Sequence, residues 1–108
     1  MPMKEMKIRY DLVPPEAIYA IAETLTVNNL SGKYSERAWE GGRSWGGEFG
    51  AVMRHMWKWW NPYISNTDDE TGLSHLYHAI TRLSFLLAYE ERTKLSNKES
   101  PYNDKPVA

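Results

Sequence analysis

Residues 54–78 determine the fold that the sequence predicts. They begin with Arg54-His55-Met56-Trp57, pass through Asn61-Pro62, and end with Asp68-Asp69-Glu70-Thr71-Gly72-Leu73-Ser74-His75-Leu76-Tyr77-His78. The asparagine–proline pair ends one amphipathic helix, and the acidic residues before a periodic apolar pattern begin the next. All three histidines of the chain lie in this stretch. It is therefore where we expect a metal or proton-transfer site, the alternative being a helix cap with hydrogen-bonded structural histidines.

Apolar spacing on both sides of this stretch predicts three main helices, over about residues 15–29, 44–60 and 70–92. The predicted core face of helix two consists of Trp45, Phe49, Val52, Met53, Met56 and Trp60, and that of helix three consists of Leu73, Leu76, Tyr77, Ile80, Leu83 and Leu87. Glu48 and His55 lie together on the flank of the helix-two face. His75, His78 and Arg82 line the other side of helix three, so we expect that helix to be buried on both sides.

The chain of 108 residues is the size of one small domain. We expect an all-α bundle over residues 1–92, with an extended N-terminal arm at 1–13 in which Ile8, Tyr10 and Leu12 pack by alternation. Residues 93–108 are polar and proline-containing and are expected to form a mobile tail. Burial of both sides of helix three suggests self-association into a homo-oligomer.

Composition excludes several classes of function. Hydrophobic residues make up 42% and charged residues 25%, with a net charge of −1, so binding to nucleic acid or to an anionic membrane is not expected. Without cysteine there is no disulfide and no cysteine zinc site. No signal peptide and no long apolar run is visible, which favours a cytoplasmic protein.

The segment 32–43 is rich in charges and aromatic rings and is predicted to be a loop, with at most a single helical turn. Its cations are Lys33, Arg37 and Arg43, and its rings are Tyr34 and Trp39. Such a loop is suited to holding phosphates and a base. The alternative is a surface loop in which Trp39 plugs the end of the bundle and the charges are solvated.

The histidines and nearby acids form a candidate metal site. Antiparallel helices joined by a short connector bring one helix's end beside the next helix's beginning, so we expect convergence of His55, Asp69, Glu70, His75 and His78. Histidine with carboxylate suits Mn, Fe, Zn or Ni, whereas carboxylates alone suit Mg. A structural hydrogen-bond network is the alternative.

Four runs carry a family resemblance over about residues 10–92. They are Val13-Pro14-Pro15-Glu16-Ala17, Lys33-Tyr34-x-x-Arg37-x-Trp39-Glu40-x-Gly42, Phe49-Gly50-Ala51-x-Met53-Arg54-His55-x-Trp57-x-Trp59 and the run from Asp68 to Ala79. Together they resemble a family of small phage-encoded proteins, the dATP/dGTP diphosphohydrolase N-terminal domain. Two departures are Ala38, where the family usually has asparagine, and the absence of the paired Glu-x-x-Glu and Glu-x-x-Asp motifs of MazG-like pyrophosphatases.

The resemblance implies a helical domain that hydrolyses purine deoxynucleoside triphosphates to monophosphate and pyrophosphate with a divalent metal, Mg or Mn. In that hypothesis Asp69, Glu70 and His75 are catalytic, and the substrate is held by Lys33, Arg37, Trp39 and Arg54. It places the protein in the cytoplasm of an infected host cell. Two hypotheses from other classes stay open: a nucleotide-binding protein without catalysis, and an oligomeric interaction module whose aromatic residues fill an interface.

Overall fold

A computed structural model describes residues 6–108 and contains three long helices. They are α1 (Pro15–Leu30), α2 (Trp45–Trp60) and α3 (His75–Ser96), with short 3-10 turns at Tyr10–Leu12 and Ala38–Gly41. Within this described part of the chain there is no named strand. The predicted all-α class is confirmed, and the predicted loop at 32–43 contains one short turn. None of the helices in residues 6–108 is long and apolar enough to span a membrane.

Local chemistry sets the helix boundaries. A proline begins α1, where a missing N–H costs nothing. The hydroxyl of Ser44 accepts a hydrogen bond from the N–H of Gly47 before α2, and Ser74 accepts one from Leu76 before α3, so both serines act as N-caps. Asn97 ends α3 in the left-handed conformation, which asparagine tolerates.

Helix α3 begins at His75, five residues after the predicted start. The carboxylate of Asp68 accepts hydrogen bonds from the N–H groups of Glu70 and Thr71, both at 3.0 Å. Gly72 follows with a φ of +72°, a conformation that favours glycine. The acidic residues therefore form a turn before the helix, and Ser74 supplies the cap.

The helices α2 and α3 are antiparallel neighbours, and α1 packs on α3. At one end of the α2–α3 pair, Trp45 forms an apolar cluster with Phe85 and Tyr89. Trp39 and Leu86 pack against this cluster. It is the apolar core of the described residues.

The predicted core faces of α2 and α3 were largely wrong. Most of the apolar residues assigned to them are exposed, namely Phe49, Met53, Met56, Trp60, Leu76, Leu83 and Leu87. The buried face of α2 instead carries Trp45, Glu48, Ala51 and Val52, and that of α3 carries His75, His78, Ala79, Thr81, Phe85 and Tyr89. The two helices therefore meet along the polar flanks noted in the sequence.

The ends of the chain differ in their contacts. Residues 1–5 of the predicted arm lie outside the described residues. In the remainder of the arm Ile8, Tyr10 and Leu12 are exposed, so the expected alternating packing is wrong.

At the C-terminal end, α3 continues to Ser96, and part of the tail contacts the start of α2. The N–H of Trp45 donates to the carbonyl of Tyr102 at 3.0 Å. The mobility of the tail stays a prediction.

The contact between the tail and the start of α2 requires a glycine at position 42. Its φ is +94°, and a Cβ there would overlap the ring of Tyr102. Gly41 has no positive φ, and nothing lies within 4 Å of its Cβ position.

We therefore expect Gly42→Ala to lower the free energy of unfolding by about 1–3 kcal/mol, the usual cost of a residue held in a disfavoured conformation. Gly41→Ala is the matched control and should change it by less than about 0.5 kcal/mol. Urea unfolding followed by circular dichroism measures both. Equal effects of the two variants would contradict this role of Gly42.

Candidate functional site

Two neighbouring features form the candidate site. The first is a cleft of about 370 Å³ between α1, the segment 34–43 and α3. Its polar lining includes Asn28, Asn29, Tyr34, Arg37, Arg43, His78 and Arg82. The second is a histidine cluster formed by His55, His75 and His78, with Asp68 beside it. His78 belongs to both, so the cleft and the cluster are continuous.

A buried ion pair supports the wall of the cleft. The carboxylate of Glu48, on α2, is 3% exposed and accepts hydrogen bonds at 2.9 Å from Arg82 on α3. Arg43 lies 3.7 Å from the same carboxylate. Burial of the Arg82 guanidinium lowers its pKa, but the hydrogen bonds and charge of Glu48 outweigh this and hold that pKa above its ordinary value. Arg43 and Arg82 are thus oriented by one carboxylate.

Tyr34 lies beneath Arg43. The guanidinium carbon of Arg43 is 4.4 Å from the centre of the Tyr34 ring, a cation–π contact. A hydrogen bond from Arg43 also lowers the pKa of the Tyr34 hydroxyl. These contacts hold a loop arginine over the cleft.

Trp39 is covered over part of its ring surface. Phe85 stacks on it at 5.4 Å with an interplanar angle of 10°, and Arg92 lies over the ring at 4.8 Å. Trp39 is half-buried and also lines the cleft. These contacts fit a role in plugging the end of the bundle, and the stacking of Trp39 on a base stays a prediction.

The histidine cluster joins α2 to the start of α3. The Nδ1 atoms of His55 and His75 are 2.9 Å apart, and the rings of His55 and His78 stack at 4.8 Å. One ligand atom each from His55, His75 and Asp68 lies within 4.8 Å of the other two. Three elements thus converge on one point: α2, the turn before α3, and α3 itself.

Burial keeps the rings of His55 and His78 neutral. Burial, followed by the nearby His78 and His75, lowers the pKa of His55 to about 4. Burial also lowers the pKa of His78, against the opposing charge of Asp68. At neutral pH both imidazoles have lone pairs available for a proton or a metal ion.

The turn before α3 positions His78. The hydroxyl of Thr71 lies 2.7 Å from Nε2 of His78, and Oδ1 of Asp68 lies 4.0 Å from the same nitrogen. Burial raises the pKa of Asp68, but backbone hydrogen bonds and the histidines outweigh it, and the net pKa is lowered. Asp68 is therefore a carboxylate beside the cluster.

Several predicted site residues lie elsewhere. Lys33 pairs with Glu70 at 2.9 Å, and neither lines the cleft. Asp69 is exposed and does not belong to the group of possible ligands found among the described residues. Arg54 is exposed on α2, away from the cleft. Of the residues predicted to bind substrate, Arg37 and Trp39 line the cleft.

Sequence reasoning named Asp68 only as one of several acids that could hold Mg²⁺, left it out of the histidine–carboxylate set, and did not pair Glu48 with Arg82. A signal for the pair was present, because Glu48 and Arg82 were placed on the polar flanks of antiparallel helices and carry opposite charges. Asp68 gave a weaker signal, since three consecutive acids are indistinguishable until the turn geometry is known.

Comparison with known proteins identifies the family. A family model described as "dATP/dGTP diphosphohydrolase, N-terminal" matches residues 2–99. The chain belongs to this family. No curated protein and no solved structure matches it. In this diphosphohydrolase N-terminal domain the matched region includes the whole cleft and the whole histidine cluster.

The ion pair between Glu48 and Arg82 gives a stability prediction. Glu48→Ala removes a buried carboxylate and leaves the half-buried Arg82 without its partner, so we expect a loss of about 3–5 kcal/mol in the free energy of unfolding. Glu40→Ala is the control, because Glu40 makes an exposed pair with Arg92 at 3.0 Å and should cost at most about 1 kcal/mol. Chemical unfolding measures both, and similar losses would contradict the structural role of Glu48.

Proposed function

We propose that the cleft binds a purine deoxynucleoside triphosphate and that the domain hydrolyses it to the monophosphate and pyrophosphate. The observation that supports this most directly is the placement of three arginines around a cleft that ends at a histidine–aspartate cluster. Membership of the dATP/dGTP diphosphohydrolase N-terminal family supports the substrate class. A cleft of this volume is within the range of small-molecule sites.

The phosphates are assigned to Arg37, Arg43 and Arg82. These are the three guanidinium groups of the cleft lining, and Glu36 is its one carboxylate, so the cleft favours an anion. Guanidinium groups bind phosphate oxygens in pairs. Arg37 has a φ of +56° and a side chain 81% exposed; strain of this kind occurs at ligand sites.

The base is assigned to the α1 side of the cleft. Asn28 lines that side and is half-buried. Its side-chain amide offers one donor and one acceptor, the pair that an adenine edge requires. Leu25 and Leu30 supply apolar surface nearby.

In the proposed reaction, a water oxygen forms a bond to the α-phosphorus. The bond from that phosphorus to the bridging oxygen breaks, and pyrophosphate leaves with the electron pair. His78 is assigned as the base that takes the water proton, because it is the cluster member that lines the cleft and its lowered pKa keeps it neutral. A divalent metal held by the cluster would neutralise charge on the phosphates.

Such a reaction suits a phage protein that adjusts the nucleotide pool in the cytoplasm of its host. The roles of Asp69 and Glu70 as catalytic residues stay predictions. Glu70 could take part only by leaving Lys33.

Pyrophosphate release tests the proposal. With a divalent metal, we expect release from dATP and dGTP in preference to dCTP and dTTP. Arg43→Ala should raise KM at least tenfold, about 1.4 kcal/mol of binding, whereas Arg54→Ala, outside the cleft, should leave KM unchanged. Folding of both variants is checked by circular dichroism.

Two results would contradict the proposal. Nucleotide binding without pyrophosphate release would favour the non-catalytic nucleotide-binding protein. Equal effects of Arg43→Ala and Arg54→Ala would place the phosphates outside the cleft.

We also propose that the domain forms a homodimer through the exposed apolar face of α2 and α3. This face consists of Phe49, Met53, Met56, Trp57, Trp60, Leu76, Leu83 and Leu87, which are 38–71% exposed. At roughly 200 Å² for each fully exposed large side chain, the face presents roughly 800 Å² per protomer. That is the area each partner of a stable complex buries, and it exceeds the apolar patch of a typical monomer.

Light scattering with size-exclusion chromatography tests the dimer. We expect wild-type protein to elute as a dimer and Trp60→Glu to elute as a monomer, since a charge would be buried in the interface. Lys58→Glu changes a charge on the opposite face of α2 and should remain dimeric. A monomeric wild type at micromolar concentration would contradict the proposal.

A further inference from the structure

We infer that His55, His75 and Asp68 form a binding site for a transition-metal ion of the Mn, Fe, Co, Ni or Zn class and not for magnesium. This deepens the proposed function, because it names the class of ion at the site. The binding of the ion itself does not depend on hydrolysis.

The spacing of the ligand atoms supports the inference. Ligands at about 2.1 Å on neighbouring octahedral positions are about 3.0 Å apart. The Nδ1 atoms of His55 and His75 are 2.9 Å apart, which matches that separation. A ligand atom of Asp68 lies within 4.8 Å of both, so a small movement of this side chain would complete a face of three ligands.

The donor types point to the class of ion. Magnesium prefers oxygen ligands and keeps most of its waters, whereas imidazole suits first-row transition metals. Two histidines and one carboxylate form the facial set used by transition metals with open coordination positions. Those open positions are where a phosphate oxygen or a water could bind.

A hydrogen bond between the imidazoles of His55 and His75 is the alternative to a metal site, and it explains fewer of the contacts in the cluster. It needs only His55 and His75, and leaves the nearby carboxylate of Asp68 out of the contact. Oδ1 of Asp68 accepts hydrogen bonds from Glu70 and Thr71, which orient the carboxylate. The other oxygen, Oδ2, accepts no hydrogen bond from residues 6–108. The hydrogen bonds to Oδ1 therefore orient the carboxylate while Oδ2 stays available to an ion.

Cobalt(II) titration of the chelator-treated full chain tests the inference. We expect visible absorption bands of cobalt in nitrogen and oxygen coordination, and no displacement by a hundredfold excess of Mg²⁺. His75→Asn and Asp68→Asn should each weaken cobalt binding at least tenfold. Asp11→Asn and Glu91→Gln are the controls, because these exposed acids pair with Arg9 and Lys94 away from the cluster, and they should bind cobalt as wild type does.

Circular dichroism of each variant separates loss of a ligand from loss of the fold, and His55→Asn serves as a second ligand variant. The inference is overturned by displacement of cobalt at equal Mg²⁺, by unchanged binding in His75→Asn and His55→Asn, or by the absence of cobalt bands. Cobalt binding without pyrophosphate release would leave this site standing and overturn the hydrolase. Pyrophosphate release without cobalt binding would support the hydrolase and overturn this metal site.

Discussion

The ion pair between Glu48 and Arg82 is the interaction on which the rest of the structure depends. It joins α2 to α3 in the middle of their contact, with both carboxylate oxygens 2.9 Å from the guanidinium. Burying a charge pair costs free energy unless its geometry is good. The pair therefore favours one rotation of each helix and one register between the two helices. With that register fixed, Trp45 meets Phe85 at one end of the pair and His55 meets His75 at the other.

This register gives the domain a polar interior and an apolar exterior on α2 and α3. The buried flanks carry the groups that could act on a nucleotide, whereas Phe49 and Trp60 face outward. In a chain that stayed monomeric such surfaces would promote aggregation. The proposed site and the proposed dimer thus both follow from which sides of the two helices face each other. The polar flanks of α2 and α3 meet and carry the histidine cluster and the ion pair behind the cleft, and the apolar stripes are left for a partner.

The helices could be predicted from sequence because proline and asparagine near their ends and the apolar spacing between act locally. The sides by which α2 and α3 face each other could not be predicted. Apolar periodicity indicates which residues avoid water, but it does not indicate whether the neighbouring helix or a second copy of the chain covers them. The start of α3 was placed too early for a related reason: acids favour a helix N-terminus, but here the side chain of Asp68 closes a turn and Gly72 adopts a positive φ. The convergence of His55, His75 and His78 followed from antiparallel pairing, whereas the contacts of Trp39 with Phe85 and Arg92 depend on tertiary packing.

The central claim is that the cleft beside the histidine cluster is the nucleotide site. It is tested most directly by nuclear magnetic resonance of the isotopically labelled protein with a dATP analogue whose α,β-bridging oxygen is replaced by a methylene group. We predict that the largest shifts fall on Asn28, Tyr34, Arg43, His78 and Arg82, with Arg54 and Lys58 unchanged. Shifts centred on the outer face of α2, or no shifts at saturating analogue, would contradict the account.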